Sequence, residues 1–261
     1  LLEGRLGCTL LRKSGRRLEL TEDGRTALRY ADQIFALGTE LEAALGRTLG
    51  DEQSLDFRVG IADAVPKSIA YRLLEPALAL DRPVRLIGHE GKMPDLLAQL
   101  SVHRLDLVIA DEPMSRRTSV KAFNHALGTT AMSFFAAPAL CNTLGADFPA
   151  CLDAAPMLIQ GRASAMRQRL DLWLSEQGLR PRLIGEFDDA ALLKAFGAQG
   201  RGVFMSPTVL EDETCVQYGV QVLGRSSELV EEFFAISVEG RVTHHCVVAI
   251  TASARERFLA S

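Results

Sequence analysis

The amino-acid sequence predicts an α/β protein that consists of a basic hairpin, a long helix and two α/β lobes. Three observations lead to this prediction. From residue 55 onward, short apolar runs with few charges alternate with helical segments, as they do in parallel sheets buried on both faces. The alternation occurs twice, which indicates two lobes. A long segment with a heptad-like seam precedes both lobes, and a basic stretch precedes that segment.

The composition is that of a folded, globular chain. With 261 residues, 48% of them hydrophobic, the chain can bury a core without metal or disulfide cross-links. Its five cysteines are widely spaced and contain no C-x-x-C pair, which argues against a zinc site or a disulfide framework and favours a reducing compartment. The longest apolar stretch, 132–141, is shorter than the roughly 20 residues of a membrane helix. We therefore expect a cytoplasmic protein with no membrane partner.

The basic stretch predicts a β-hairpin that meets a polyanion. The first 20 residues contain five basic and two acidic side chains, a net charge of +3, whereas the whole chain carries −4. Two short apolar segments within Thr9–Leu20 flank a turn in which Gly15 can adopt a positive φ. Its basic side chains can neutralise DNA phosphates, and a solvated charged turn explains them equally well on the residues alone. These side chains are Arg12, Lys13, Arg16 and Arg17.

A helix of roughly seven turns is predicted to follow Thr21. Glu22 and Asp23 lie in its first turn, where the helix dipole favours acidic side chains. Its apolar seam is narrow, which favours dimerisation over the alternative of packing against the rest of the chain. The seam consists of Ala27, Ala31, Ile34, Gly38, Leu41 and Leu45.

The first lobe is predicted to begin after a polar linker at Gly50–Ser54. Its strands are Leu55–Ile61, Val84–Gly88 and Leu105–Ala110, and its helices occupy the segment that ends at Leu78 and the segment Pro94–Leu100.

The second lobe repeats this alternation. Its strands are predicted at Met132–Ala136, Met157–Ile159, Arg182–Phe187, Val203–Met205 and Glu232–Val238. Its helices are predicted at Ser164–Gln177 and from the end of the third strand through Phe196, and Arg167, Arg169 and Arg180 are interpreted as solvated charges. A final helix carries Val247, Ile250, Ala254 and Phe258, with Thr243 as its N-cap. The chain is expected to cross between the lobes near 127–131 and again near Gly240.

No catalytic motif is present in the sequence. It lacks a nucleophile elbow, a Walker A loop, an H-E-x-x-H zinc motif and a dinucleotide-binding glycine motif. His244 and His245 are adjacent and do not share a helix face, which argues against a metal pair. We therefore predict a binding protein without a cofactor. The alternatives are a solute-binding protein and a cytosolic enzyme on the same two-lobe fold, for which His89 and Glu90 are the only candidate pair.

The order of these parts resembles that of the LysR-type transcriptional regulators. The residues that carry the resemblance are LEGRLG at 2–7, LLRK at 10–13 and GRRLELTEDG at 15–24, which match the end of the family's winged helix-turn-helix at nearly every position. The later part of the chain resembles one branch of the family, the NhaR-type regulators of Na+/H+ antiporters. That likeness lies at 60–64, 105–111, 149–152 and above all 185–198.

The resemblance implies that the two lobes have the fold of type 2 periplasmic binding proteins and hold an effector between them. Residues 1–20 would be a remnant of the wing, 21–54 the dimerisation helix and hinge, 55–128 with 241–261 the first lobe, and 129–240 the second lobe. It implies double-stranded operator DNA, a second copy of the chain in a dimer or tetramer, and RNA polymerase as partners. By this resemblance the chain starts near the end of the winged helix-turn-helix, so the helix that reads the major groove is expected to precede Leu1.

We expect the effector cleft where loops follow the carboxyl ends of the strands. Three of the four loops carry carboxylates, which favours a small cation such as Na+ at Asp63, Glu90 and Asp188 over an anion. The alternative is that Asp63 and Asp188 only cap the helices that follow them. The expected cleft residues are Asp63, Ala64, His89, Glu90, Gln160, Gly161, Phe187, Asp188, Asp189 and Phe204.

Overall fold

A short helix, a hairpin and a long helix open the computed structural model, which describes residues 2–14, 17–44, 54–115, 122–162, 164–238 and 244–258. Helix α1 spans Leu2–Leu6, and strands β1 (Leu11–Ser14) and β2 (Arg17–Leu20) pair in antiparallel register. The predicted hairpin is therefore confirmed. The Glu3 carboxylate accepts hydrogen bonds from the backbone N–H groups of Leu10 and Leu11, which lower the pKa of Glu3.

The long helix α2 spans Glu22–Ala44 and begins where the sequence predicts. Thr21 is its N-cap, since the Thr21 hydroxyl accepts a hydrogen bond from Gly24 N at 2.9 Å. Gly24 is buried against the hairpin, and a Cβ at this position would overlap the Leu10 carbonyl oxygen. The absence of a side chain at Gly24 therefore allows the first turn of α2 to pack on the hairpin.

The first lobe contains three parallel strands covered by helices. Strands β3 (Leu55–Ala62), β4 (Val84–Gly91) and β5 (Leu107–Ala110) lie in the order β4-β3-β5. Helices α3 (Lys67–Leu78) and α4 (Met93–Ser101) pack on them, and α9 (His245–Phe258) packs on α3. Val247, Ile250 and Ala254 of α9 are buried in the core of this lobe, which we call the first core. The predicted N-cap Thr243 lies outside the described residues.

Two long strands connect the lobes and make the sheet continuous. Strands β6 (Phe123–Ala136) and β10 (Gln221–Ser237) pair antiparallel along their lengths, and β9 (Phe204–Pro207) adds to β6. One mixed sheet of six strands, β4-β3-β5-β10-β6-β9, thus replaces the purely parallel sheets that the sequence predicts. The predicted crossing near 127–131 is part of β6. The prediction missed this because the first half of β6 alternates polar and apolar residues instead of forming an apolar run.

The second lobe is built around β6, β9 and a pair of parallel strands. Strands β7 (Pro156–Gln160) and β8 (Arg182–Phe187) pair with each other, and Met157 bridges to Val203. Its helices are α5 (Pro138–Leu144), α6 (Ala165–Glu176), α7 (Ala190–Ala198) and α8 (Glu211–Tyr218). Helices α5 and α8 are absent from the prediction. Pro at the first position of α5 and the acidic first turn of α8 are start signals that could have revealed both.

The apolar side chains of the second lobe form two clusters. One surrounds Phe134 and Trp173 between the sheet and α6, and we call it the second core. The other contains Phe135 and Phe204 and packs against α7. None of the helices in the described part of the chain is long and apolar enough to cross a bilayer.

Candidate functional site

The carboxyl ends of the first-lobe strands gather four of the expected cleft residues. Ala62 of β3 pairs with Gly91 of β4, and the backbone N–H of Asp63 donates to the Gly91 carbonyl at 3.1 Å. Asp63 and Ala64 therefore lie beside the end of β4, which carries His89 and Glu90. All four side chains are exposed. They form one wall of the candidate effector cleft.

The carboxylates of this wall do not cap α3. Helix α3 begins at Lys67, and Pro66 occupies the N-cap position without a side-chain hydrogen bond. The capping interpretation of Asp63 is therefore wrong, because its carboxylate comes too early in the chain to reach the free N–H groups. Glu90 instead forms an ion pair with Lys67 at 2.6 Å, and both side chains are more than half exposed.

The carboxyl ends of the second-lobe strands gather a second group of expected cleft residues, which we call the second wall. Gln160 of β7 pairs with Phe187 of β8, and the N–H of Gly161 donates to the Phe187 carbonyl at 2.9 Å. Asp188 lies directly against Gly161, where a Cβ would overlap its carboxylate oxygen. Asp189 is the N-cap of α7, since its Oδ1 accepts from Leu192 N at 2.6 Å. The capping role expected for Asp188 thus belongs to Asp189, which leaves Asp188 exposed.

The buried side chain of Arg167 forms hydrogen bonds with the strand ends of the second wall. It is 7% exposed, and its guanidinium donates to the Gln160 carbonyl and to the Glu186 carboxylate, both at 3.1 Å. It also contacts Asp171 at 2.9 Å. Its hydrogen bond to Glu186 lowers the pKa of that carboxyl. The interpretation of Arg167 as a solvated charge is therefore wrong, because the helix turns it toward the strand ends.

Two aromatic residues predicted for the cleft differ in their positions. Phe187 is half-buried, and its ring lies 5.0 Å from the ring of Phe196. Phe204 is fully buried on β9, with its ring stacked 5.5 Å from that of Phe135 and in contact with Gly197. Phe204 is thus a core residue and does not line the cleft, because its position on the strand points it into the sheet–helix interface.

The structure does not bring Asp63, Glu90 and Asp188 together as a metal site. Among the described residues, no three His, Cys, Asp or Glu side chains are placed to hold an ion. Glu90 is paired with Lys67, while Asp63 and Asp188 belong to walls on different lobes. The expectation of a single site formed by these three carboxylates has no support in this geometry.

Contacts between the lobes involve residues that the sequence did not single out. Ser68 of α3 donates to the Glu213 carboxylate of α8, and Arg72 donates to the Val209 carbonyl at 3.0 Å. Arg72 also approaches Glu213 at 3.5 Å. Deeper between the lobes, β10 contributes Glu231, whose side chain is 5% exposed. A glutamate within an otherwise buried strand segment is the signal that could have identified it.

A cavity of about 450 Å³ also lies between α6 and β10. It is lined mainly by acidic and apolar side chains, including Glu176, Glu232 and Leu172. The indole N–H of Trp173 at its base donates to the Glu228 carboxylate at 2.6 Å, so these two polar groups satisfy each other.

The hairpin and long helix present the other predicted contact residues. Arg12 is exposed and lies 3.5 Å from Glu19 on the paired strand, whereas Arg16 is outside the described residues. Lys13 of β1 is opposite Leu18, and Arg17 of β2 is opposite Ser14. On α2, Ala31 is half-buried, Leu45 lies beyond the described helix, and a row of exposed apolar side chains follows one face. This row contains Ile34, Leu37 and Leu41, which are 67%, 60% and 59% exposed.

Comparison with known proteins covers both the hairpin–helix part and the lobes. The family described as LysR substrate binding domain matches residues 50–258. The transcriptional activator protein NhaR of Escherichia coli is 36% identical over 251 residues, which are 95% of this chain and 81% of that protein. NhaR of Shigella flexneri matches to the same extent.

Solved structures share the fold. ArgP from Mycobacterium tuberculosis has a TM-score of 0.67 at 18% identity and covers 97% of this chain and 84% of its own. DarR of Vibrio fischeri, solved in complex with DNA, has a TM-score of 0.58 at 20% identity, with coverage of 97% and 85%. The predicted two-lobed α/β fold, with a hairpin and long helix before it, is confirmed.

Proposed function

This chain belongs to the LysR family of transcriptional regulators, and on that basis we propose that it binds operator DNA as a homo-oligomer and responds to a small effector between its lobes. It is a regulator and not an enzyme, as the sequence predicted. The observation that carries the proposal is the 36% identity to NhaR, because it extends over 95% of the chain and is not confined to the lobes.

The hairpin is proposed to contact DNA phosphates. Arg12, Lys13, Arg16 and Arg17 concentrate positive charge in a chain that is otherwise acidic. Such contacts position a protein on DNA and weaken with salt, but they carry little sequence information. Since NhaR is named a transcriptional activator, we extend the proposal to activation through RNA polymerase in the cytoplasm.

DNA binding by the intact protein tests this part of the proposal. Fluorescence anisotropy with its promoter DNA, repeated over a range of salt concentrations, should give a linear loss of log affinity with log salt. Arg12→Ala should reduce the slope by about one, since it removes one phosphate contact. Arg180→Ala, a change at an exposed arginine of the second lobe, is the matched control and should leave the slope unchanged. Equal slopes for the wild type and Arg12→Ala would count against a hairpin contact.

The effector is proposed to bind between the two walls. Asp63 on the first wall and Asp188 on the second are both exposed, and their carboxylates favour a ligand that is cationic or donates hydrogen bonds. The N-terminus of α7 offers N–H groups near Asp188, and Asp189 already occupies one of these. The resemblance to NhaR-type regulators supports Na+ as the ion to test first, with a small organic cation as the second candidate.

Calorimetry and promoter footprinting across Na+ concentrations test the effector, with K+ replacing Na+ at constant ionic strength. A heat or footprint change specific to Na+, lost in Asp63→Asn and Asp188→Asn, would support the sodium response. Identical behaviour in Na+ and K+ would overturn it and direct the search to organic cations. Constant ionic strength is necessary because phosphate contacts alone respond to salt.

A further inference from the structure

Glu231 lies on β10 midway between the two cores. Two residues before it, Leu229 is buried in the second core, and two residues after it, Phe233 is buried in the first core. Glu231 is opposite Thr130 of β6 in the antiparallel register. Its side chain is 5% exposed, and its Oε2 finds no hydrogen-bond partner among the described residues. A buried carboxyl with one unpartnered oxygen therefore occupies the point where both long strands pass between the lobes.

Charged groups from three other elements act on this carboxyl. Asp111, which follows β5 of the first lobe, disfavours its ionisation, whereas Arg169 of α6 and Lys194 of α7 favour it. Burial is the largest influence and, with Asp111, raises the pKa of Glu231 to about 8. Burial also raises the pKa of Asp111. It lowers the pKa of Lys194, whereas the carboxylate of Glu213 on α8 acts in the opposite direction and raises it.

The two cations do not neutralise the carboxyl directly. Arg169 donates to the Val230 carbonyl and lies 3.8 Å from the Glu232 carboxylate, so its guanidinium is already engaged. Lys194 lies 5.8 Å from the ring centre of Tyr218. Asp111 comes from the first lobe, while Arg169 and Lys194 come from the second. A displacement of the lobes therefore separates Asp111 from the cations and admits water to Glu231.

We propose that Glu231 is a proton-operated hinge residue: the neutral acid stabilises the closed arrangement of the lobes, and loss of its proton opens them. The physical reason is that an ionised carboxylate without a partner is unfavourable inside a protein and gains most by hydration. Movement at this point requires only that β6 and β10 bend where they leave one core and enter the other. The inference needs neither the effector nor the DNA proposed above.

The direction of the pH effect follows from the two protonation states. In the closed arrangement the pKa of Glu231 is about 8, against an ordinary value of 4.5 when the carboxyl is hydrated. Between pH 4.5 and about pH 8, the closed arrangement therefore binds one more proton than the open arrangement. Its stability relative to the open arrangement is fully present below pH 4.5, falls as the pH rises to about 8, and then stays constant.

Small-angle X-ray scattering of the intact protein without effector tests the hinge, from about pH 4.5 to about pH 9.5 at constant ionic strength. We expect the radius of gyration to increase between pH 4.5 and about 8 and to level off above that, with its midpoint between these two values. Glu231→Gln keeps the shape of the neutral acid and should remain compact across the range. Glu112→Gln, at an exposed carboxylate beside Asp111, is the control and should expand as the wild type does.

Infrared difference spectroscopy supplies a second measurement that needs only the wild type. The carbonyl band of a protonated carboxylic acid should disappear with the same midpoint, so the test stands even where Glu231→Gln fails to fold. The proposal is overturned by a wild-type radius that does not change with pH, by a Gln variant that expands like the wild type, or by the absence of a titrating acid band. None of these outcomes bears on DNA or effector binding, so the two proposals fail independently.

Discussion

Asp188 and Asp189 are chemically identical neighbours with different roles, and geometry alone separates them. Asp189 has the extended backbone of an N-cap, with φ of −98° and ψ of 119°, and its carboxylate accepts from Leu192 N. Asp188 lies against Gly161 and remains exposed. For a single residue, a shift of one position thus decides between a carboxylate that caps a helix and one that does not.

Removal of the cap on α7 should destabilise the protein. Asp189→Ala leaves the N–H of Leu192 without its partner, and we expect a loss of about 1 kcal/mol in the free energy of unfolding. Asp189→Asn should retain most of the stability, since Asn is an equally good N-cap. Urea denaturation measures both. A loss of the same size in the Asn variant would show that the charge and not the hydrogen bond is responsible.

Replacement of Arg167 tests how much its hydrogen bonds to the second wall stabilise the protein. Arg167→Met keeps the apolar stem but removes the hydrogen bonds to Gln160 and Glu186, so we expect a loss of about 2 kcal/mol. Arg167 lowers the pKa of Glu186. The stabilisation from this ion pair is therefore fully present above pH 4.5, the ordinary pKa of Glu186, and is lost as the pH falls below that value. The difference between wild type and variant, measured by urea denaturation, should therefore shrink in acid.

Arg180 provides the comparison for this change. Its side chain is exposed, and Arg180→Met should alter the free energy of unfolding by no more than about 0.5 kcal/mol. Similar losses for both arginines, or a loss at Arg167 that does not depend on pH, would contradict the buried role.

Among the secondary-structure elements, the hairpin and α2 form one unit. Thr21 caps α2 and also donates from its hydroxyl to the Thr9 carbonyl at 2.6 Å, so the helix start is tied to the chain that enters the hairpin. The close approach of Gly24 to Leu10 completes the contact. A rotation of the helix therefore carries the hairpin with it.

Substitution of the two glycines of α2 should have opposite effects. Gly24→Ala places a methyl group on the Leu10 carbonyl and should cost about 1–3 kcal/mol, which outweighs the gain in helix propensity. At Gly38, a Cβ would meet no atom of the described chain within 4 Å, so Gly38→Ala should stabilise α2 by up to about 1 kcal/mol. Thermal unfolding followed by circular dichroism separates the two. Equal effects would contradict the packing of α2 on the hairpin.

For the molecule as a whole, α2 carries an exposed apolar row that suits a second copy of the chain. Ile34, Leu37 and Leu41 recur with the 3-4 spacing of a coiled-coil seam. The seam predicted from the sequence also contains Ile34 and Leu41, but it has Gly38 between them where the exposed row has Leu37. A row on one helix face fits the homo-oligomer proposed above.

Charges on this row should disrupt the oligomer. Leu37→Asp combined with Leu41→Asp removes two apolar contacts per chain, each worth about 2 kcal/mol when buried. We expect the dissociation constant of the dimer to rise by at least about 100-fold in sedimentation equilibrium. Thr26→Asp, at an exposed position near the start of the same helix, is the control and should leave association unchanged. A double variant that still associates like the wild type would exclude this face as the interface.

Local signals in the sequence account for the kinds of element and their order. The hairpin, α2, the strands β3, β7 and β8 and the helices α3, α4 and α6 follow from periodicity, capping and turn residues, which act between near neighbours in the chain. The strand ends near Asp63, Glu90, Gln160 and Asp188 follow from the same signals, although β4 and β7 extend over Glu90 and Gln160, which the sequence places in loops. The family follows from these parts in this order.

The burial of individual side chains and the partners they find depend instead on the folded chain. The course of β6 and β10 between the lobes, the burial of Phe204, Arg167 and Glu231, and the pairing of Glu90 with Lys67 all depend on residues brought together from different elements. Local patterns do not contain this information, because desolvation and electrostatic pairing are set by what lies across the sheet and not by what lies next in the chain. For Glu231, that surrounding structure raises the pKa of the carboxyl from its ordinary value to about 8.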